Sequence, residues 1–142
     1  MRGLLDVNVL IALLDAGHVH HTATHAWLDE HIANGWASCP LTQNGCLRIL
    51  SADGYPRRQP VGAVAARLAE AVATPHHAFW MDAISVLDEE RFDHDRWLSS
   101  RQLTDAYLLA LAVQHGGTFV TLDRSVDRTL VRGAQAHHLK LI

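Results

Sequence analysis

The chain has little cysteine and lysine, and it has no long apolar run. Cys39 and Cys46 are the two cysteines among 142 residues, too far apart for a Cys-x-x-Cys motif. We expect two reduced thiols, as in a cytosolic protein. No run approaches the ~20 apolar residues that cross a bilayer. Because Asp6 interrupts the first apolar run and no small-residue cleavage site follows, we also expect no signal peptide.

Glycine-rich phosphate-binding motifs are absent too, so the sequence gives no support for a nucleotide cofactor. The net charge of −3 argues against a basic nucleic-acid coat protein. It does not exclude an enzyme that acts on nucleic acid, because a carboxylate cluster is offset locally by a bound cation. Apart from Lys140, all the cationic residues are arginines, which suit bidentate contact with phosphate.

The length and an apolar content of 49% predict one folded domain over residues 1–142. Apolar patterning predicts strands at Leu4–Asp6, Trp36–Cys39, Ile84–Leu87, Phe119–Leu122 and His138–Ile142. Helices are predicted at Asn8–Leu14, His20–Ile32, Leu41–Ile49, Val61–Val72 and Ala106–His115, with a loop over Ser51–Pro60. This alternation predicts an α/β fold with a mainly parallel sheet covered on both faces.

Three aspartates stand beside these predicted elements. Asp6 closes the first strand, Asp123 closes the fourth, and Asp105 opens the apolar helix that begins at Ala106. Since the carboxyl ends of parallel strands share one crevice, carboxylates from both ends of the sequence are expected to meet there. Unneutralised carboxylates raise one another's pKa, and a hard cation such as Mg²⁺ or Mn²⁺ relieves that repulsion. The pattern therefore predicts a metal site.

Each aspartate also has a simpler explanation. Asp105 suits the positive end of a helix dipole, and Asp123 suits a turn. Asp6 is harder to explain in this way, because a carboxylate after a buried strand is costly unless it is paired or ligated. Asn8 adds a polar group at the same strand end, and hydroxyls flank the other two aspartates at Thr104 and Thr121.

Other residue groups have weaker patterns. The eleven histidines include His21 and His25, four apart, but a zinc site needs three or four convergent ligands. His18–His21 is expected to begin a helix after a loop, and His76–His77 and His137–His138 are expected in loops or on the surface. Arg124, Arg128 and Arg132 would line one face of a helix, either as a stripe for RNA backbone or as a solvated face. The four tryptophans are expected mainly in the core or at interfaces.

Several segments resemble a known family. The PIN-domain nucleases have motifs similar to Leu4–Leu10, Thr104–Ala110 and Val120–Arg124. A narrower group, the VapC toxins of bacterial toxin–antitoxin modules, has segments similar to His18–His21, Trp36–Thr42 and Phe79–Trp80. The resemblance covers essentially the whole chain in matching order and spacing.

The resemblance implies a three-layer α/β/α sandwich and a metal-dependent endoribonuclease of the bacterial cytoplasm. It implies a VapB-like antitoxin partner, and a homodimer or a toxin–antitoxin hetero-oligomer. Asp6, Asp105 and Asp123 would be the acidic metal ligands and catalytic residues for Mg²⁺ or Mn²⁺, supported by Asn8, Thr104 and Gln43. Water activated at the metal would then attack an RNA phosphodiester.

Gln43 departs from the family pattern. The family usually has a glutamate where this chain has Gln43, so a charge is lost while a potential oxygen ligand remains. Weaker affinity for a second metal ion is the expected consequence. One alternative is therefore a PIN-like module that binds RNA or antitoxin without cutting. Another is a haloacid-dehalogenase-type phosphotransferase, but its chemistry normally uses Asp-x-Asp, and Asn8 occupies the second position here.

Overall fold

The structure is a computed structural model that describes residues 1–97 and 99–142. Its described strands are β1 Gly3–Leu5, β2 Trp36–Ser38, β3 His77–Phe79, β4 Thr118–Thr121 and β5 Leu139–Leu141. The described α-helices are α1 Val7–Leu14, α2 His21–His31, α3 Pro40–Leu50, α4 Val61–Val72 and α5 Gln102–Gln114. No helix in the described ranges has the length and apolar character required to cross a membrane.

The five strands form one sheet in the order β3-β2-β1-β4-β5, and every pairing is parallel. The chain first builds outward from β1 to β3 and then returns to the other side of β1 for β4. This reversal between β1 and β4 is the topological switch point, where ligands of open α/β sheets bind beyond the carboxyl ends of the strands. The sheet therefore presents its binding edge directly after Leu5 and Thr121.

Apolar side chains alternate between two cores, one on each face of the sheet. Leu4, Ala37 and Phe119 pack with α5 on one face. Leu5, Trp36 and Val120 pack on the other face with α1, α3 and α4. The predicted α/β/α sandwich is confirmed, and the sheet is entirely parallel in the part of the chain described.

The predicted third strand was wrong. Residues Ile84–Leu87 form bends and turns, and the third strand is His77–Phe79, where no strand was predicted. This strand lies at the sheet edge and pairs only with β2, so its conformation depends on Trp36–Ser38 rather than on its own apolar pattern. Ile84 and Val86 instead pack as loop residues against the core on the α5 side.

Two helices begin at other residues than predicted, and the arginine-bearing helix face considered for residues 124–132 does not form. Asp6, rather than Asn8, caps α1, and α5 begins at Gln102, so Asp105 lies in its first turn instead of opening it. Of the stretch bearing Arg124, Arg128 and Arg132, only Arg128–Leu130 is helical, as a single 3-10 turn. The arginines therefore form no helical stripe.

Candidate active site

The side chain of Asp6 is held at the carboxyl end of β1 by two donors. The Val7 backbone N–H donates to Asp6 Oδ1 over 2.7 Å, and Thr121 Oγ1 donates to Asp6 Oδ2 over 2.6 Å. Asp6 is 6% exposed, and burial raises its pKa, whereas these hydrogen bonds work in the opposite direction. Both carboxylate oxygens thus act as acceptors, an arrangement that favours the ionised form.

The Thr121 hydroxyl joins Asp6 to the neighbouring polar groups. It accepts hydrogen bonds from Asn8 Nδ2 over 3.1 Å and from the Asp123 backbone N–H over 3.0 Å. Asn8 Oδ1 in turn accepts from the Leu122 backbone N–H over 3.1 Å. The hydroxyl therefore makes one donated and two accepted bonds, the full capacity of a threonine.

Asp123 follows this hub at the end of β4. Its Oδ1 accepts from the backbone N–H and the hydroxyl of Ser125, over 2.8 and 2.7 Å. Oδ1 thereby closes the turn that was the simpler explanation of Asp123 from sequence. Asp123 also raises the pKa of Asp6, so the two carboxylates interact despite their separation in sequence.

Asp105 reaches the same region from α5. Partial burial, together with the charges of Asp6 and Asp123, raises its pKa to about 6. The charges of Asp6 and Asp123 thus act on Asp105, and a shared metal site of the three aspartates stays a prediction. Asp105 differs from Asp6 because no described hydrogen bond to its side chain opposes the repulsion.

Close packing of α3 against α1 places the helix after β2 near this edge. A Cβ built on Gly45 would lie 2.7 Å from Val7 Cγ2, closer than side-chain packing allows. Glycine at position 45 therefore lets the first turns of α3 approach the residue that follows Asp6. The backbone N–H of that same residue donates to the Asp6 carboxylate.

Gln43 lies on α3 but bonds away from the aspartates. Its Nε2 donates to Ser38 Oγ over 3.0 Å, and Ser38 Oγ also bonds His77 Nε2 over 2.8 Å. Side chains two residues apart in a strand share one face of the sheet. Ser38 therefore shares the face of Trp36, on the side of α1, α3 and α4. By the same spacing, Asp6 follows Leu4 on the opposite face, on the side of α5. A supporting role of Gln43 at the aspartates stays a prediction.

Thr104 is exposed beside Asp105 and borders a small cavity of about 250 Å³ that is also lined by Leu41, Asp82 and Tyr107. The Asp82 carboxylate contributes to the raised pKa of the Cys39 thiol and of the Tyr107 hydroxyl, in both cases after burial. None of the three aspartates lines this cavity, so a supporting role of Thr104 also stays a prediction.

The histidines and cysteines give no alternative metal centre. His21 and His25 bond the Ala12 and Leu13 carbonyl oxygens at the end of α1, over 2.8 and 3.0 Å. Cys39 and Cys46 are buried free thiols with raised pKa values. His77 and His138 depart from the surface placement expected of them, since His77 lies in β3 and His138 is buried.

The aspartates fit a hydrated cation better than a closed metal cage. Across residues 1–97 and 99–142, no three His, Cys, Asp or Glu side chains are grouped closely enough to hold a metal ion. Mg²⁺, however, usually keeps several waters and binds through one or two carboxylates. Burial, and after it the charges of neighbouring aspartates, raises the pKa of Asp6 and of Asp105, and such a cation would relieve the repulsion between these carboxylates.

Thr121 is the functional residue that sequence reasoning undervalued. Its only sequence signal was a hydroxyl two residues before Asp123. That signal is weak, because threonine is common in strands for reasons of packing alone. The role of Thr121 as a hub depends on the pairing of β1 with β4, which brings together residues more than 100 positions apart.

Comparisons with known proteins agree with this architecture. The PIN-domain family matches residues 3–130. Ribonuclease VapC44 of Mycobacterium tuberculosis is 50% identical over 139 residues, which cover 98% of each chain. Ribonuclease VapC39 of the same organism is 39% identical over 127 residues, covering 89% of this chain and 91% of the relative.

A solved structure shows the same fold at low sequence identity. The crystal structure of Mycobacterium tuberculosis VapC20, a toxin that cleaves the sarcin–ricin loop, superposes with a TM-score of 0.57. The match is 15% identical in sequence and covers 84% of this chain and 87% of VapC20.

Proposed function

Since the chain belongs to the PIN-domain family and to its VapC group, we propose that it is a metal-dependent endoribonuclease and the toxin of a toxin–antitoxin module. The observation that carries the proposal is the link from Asp6 through Thr121 to the Asp123 backbone, together with the effect of the Asp6 and Asp123 charges on the pKa of Asp105. The ribonuclease relatives favour this function over a module that binds without cutting.

We assign the cation to Asp6 and Asp105, with Asp123 either helping to hold it or orienting the attacking water. Mg²⁺ and Mn²⁺ are the ions proposed, because both prefer oxygen ligands. When bound, such a cation supplies positive charge at the scissile phosphate and makes water more acidic.

The protein's own groups prepare the site for this chemistry. Thr121 and the Val7 N–H oppose the rise that burial causes in the pKa of Asp6, and they fix the direction of its oxygens before substrate arrives. Asn8 holds the Thr121 hydroxyl and the Leu122 backbone, so the end of β4 cannot shift relative to α1 without breaking both bonds. Such preorganisation avoids rearrangement when charge develops on the phosphate.

The proposed partners follow from the same family. An antitoxin protein similar to VapB would neutralise the enzyme, and the toxin would form a homodimer or a hetero-oligomer with that antitoxin. RNA is the substrate, and the bacterial cytoplasm is the proposed compartment. The antitoxin, rather than this acidic chain, would carry any DNA-binding function.

Cleavage of a labelled total-RNA pool tests the function. Purified antitoxin-free protein is incubated with Mg²⁺, Mn²⁺ or EDTA, beside Asp6→Ala and the matched control Asp53→Ala. Asp53 is a loop carboxylate with a side chain that is 96% exposed, so its removal should leave cleavage unchanged. We expect cleavage that requires metal and is lost only in Asp6→Ala. Absence of cleavage by folded protein with either ion would contradict the proposal.

A further inference from the structure

Ser38, His77 and Gln43 form a line of hydrogen bonds that the proposed chemistry does not use. Ser38 Oγ lies 2.8 Å from His77 Nε2 and accepts from Gln43 Nε2 over 3.0 Å. A hydrogen bond to the Val72 backbone also acts on the His77 ring. The line begins at the last residue of α4, passes through the edge strand β3 and the end of β2, and reaches the first turns of α3.

The hydrogens in this line have one consistent order when His77 is neutral. A neutral imidazole has one N–H and one acceptor nitrogen, and the hydrogen bond at one nitrogen fixes the role of the other. Because the ring donates towards the Val72 carbonyl, its Nε2 accepts from the Ser38 hydroxyl. The hydroxyl has no second hydrogen, so Ser38 only accepts from Gln43. Gln43 therefore turns its NH2 group towards Ser38 and its carbonyl oxygen away from it.

A second proton on His77 reverses this order. With hydrogens on both ring nitrogens, Nε2 donates to Ser38 Oγ, and the Ser38 hydrogen needs another acceptor. Ser38 is completely buried, so a hydroxyl without an acceptor would be costly. The carbonyl oxygen of Gln43 is the acceptor that a half-turn of the terminal amide brings to Ser38, because the nitrogen and oxygen of that group exchange places in such a turn.

The groups that face His77 favour its neutral form at pH 7. From β2 come the Ser38 hydroxyl and the Trp36 ring, with 4.5 Å between ring centroids, and from α4 comes the uncharged Val72 backbone. Burial lowers the pKa of His77 most strongly, the hydrogen bond to Val72 raises it, and the positive charge of Arg2 lowers it again. Protonation therefore requires acidification below the ordinary range of a histidine.

We propose that Ser38 and His77 make Gln43 a pH-sensitive switch, in which protonation of His77 turns the Gln43 amide and exchanges its outward carbonyl oxygen for its NH2 group. His77 Nε2 gains the proton, and the Ser38 hydrogen turns from His77 to Gln43 by rotation of the hydroxyl. Gln43 also lines a cavity of about 440 Å³ between α3 and α4. A residue of the cavity wall thus changes from an acceptor to a donor on acidification. This switch does not require RNA cleavage.

NMR spectroscopy of the metal-free full chain between pH 4.5 and 8 tests the switch. The ring ¹⁵N signals of His77 report its tautomer and its protonation, and the side-chain NH2 signals of Gln43 report the amide. We expect the neutral Nδ1–H tautomer at pH 8, and Gln43 signals that shift with the same midpoint as His77. His115 is the matched control, because burial lowers its pKa too, but it stacks on Trp80 outside this line of hydrogen bonds.

Two variants separate the switch from a general effect of pH. Ser38→Ala removes the hydroxyl, so His77 should still titrate while the Gln43 signals lose their dependence on pH. Gln43→Glu places a group that only accepts beside Ser38, so the hydroxyl should donate to it and His77 Nε2 should carry a hydrogen. The titration midpoint of His77 should therefore rise by about one pH unit in Gln43→Glu, while the midpoint of His115 stays the same.

Three results would overturn the switch. The first is a His77 ring that remains neutral down to pH 4.5, the second is wild-type Gln43 signals that do not follow His77, and the third is Gln43 signals that still follow His77 in Ser38→Ala. If Ser38→Ala does not fold, equal midpoints of His77 in wild type and in Gln43→Glu would overturn the switch instead.

Discussion

Burial raises the pKa of both Asp6 and Asp105, but the two carboxylates differ in the hydrogen bonds that they accept. Asp6 accepts hydrogen bonds at both oxygens, so the anion is stabilised where burial would disfavour it. Asp105 has only burial and two neighbouring negative charges acting on its pKa. Asp105 therefore lacks the hydrogen bonds that oppose the rise in pKa at Asp6.

Replacing Thr121 with valine tests the hub. Valine keeps the shape but removes the donor to Asp6 and the acceptor for Asn8 and the Asp123 backbone. Leaving these groups unsatisfied should lower the free energy of unfolding by about 1–3 kcal/mol. Cleavage should fall as well. Thr121→Ser, which retains the hydroxyl, is the control in urea unfolding and cleavage assays, and equal behaviour of the two variants would count against the hub.

Asp105 should make stability depend on pH in metal-free protein. Its pKa rises from 3.8 to about 6 on folding, so the folded state retains a proton that the unfolded chain has released. The resulting stabilisation is complete below pH 3.8 and is lost as the pH rises through about 6. The full value is ~1.4 kcal/mol for each pKa unit of the shift. Because Asp105 is partly exposed, solvent screening should reduce the total loss of stability to about 1–2 kcal/mol.

Urea unfolding from pH 4 to 7 in EDTA measures this effect as the difference between wild type and Asp105→Asn. The difference should change with pH in that window, because asparagine cannot titrate. A difference in the free energy of unfolding that stays constant over this pH window would show that the raised pKa of Asp105 is incorrect.

At the scale of elements, the site depends on how closely α3 approaches α1. Gly45 permits this approach, and the contact is with the residue that donates to Asp6. A change in the packing of two helices is thereby transmitted to a carboxylate through one backbone N–H group. The helix after β2 thus affects the site even though Gln43 bonds elsewhere.

Gly45→Ala should destabilise the protein and reduce cleavage. The added methyl group would lie 2.7 Å from Val7 Cγ2, and overpacking of this kind costs about 1–3 kcal/mol. Gly62→Ala in α4 is the control, since a Cβ there meets nothing within 4 Å and alanine favours a helix. Thermal melts should move in opposite directions for the two variants, and Val7→Ala should partly rescue Gly45→Ala.

Elements with strong local signals were predictable from the sequence. The predicted helix Val61–Val72 agrees with the observed bounds of α4. The strand-end positions of Asp6 and Asp123 were predictable because short apolar runs precede them.

Features that depend on tertiary pairing were not predictable. The edge strand β3 exists because β2 lies beside it, and local patterning favoured Ile84–Leu87 instead. The orientation of Gln43 depends on which face of the sheet presents Ser38. Likewise, the bonds of Thr121 require β4 to lie next to β1, and no local pattern contains that information.

At the scale of the whole molecule, the clustered carboxylates couple cation binding to folding. A cation that binds only the folded state stabilises it by about 2.7 kcal/mol at 100 times the dissociation constant. Mg²⁺ or Mn²⁺ should therefore raise the melting temperature in differential scanning fluorimetry. The increase should be much smaller in Asp6→Ala and unchanged in Asp53→Ala. Equal increases in all three proteins would place the responsible cation elsewhere.

The switch between β1 and β4 also has a consequence for biosynthesis. Asp6 is made before its partner Thr121 and the adjacent Asp123, which follow it by more than 100 residues. At roughly 5–20 residues per second, the ribosome needs on the order of ten seconds to join these two parts. A nascent chain therefore has no complete site until Asp123 has been made and β4 can pair with β1. The ribosome that makes this protein is exposed to its assembled site only after that point.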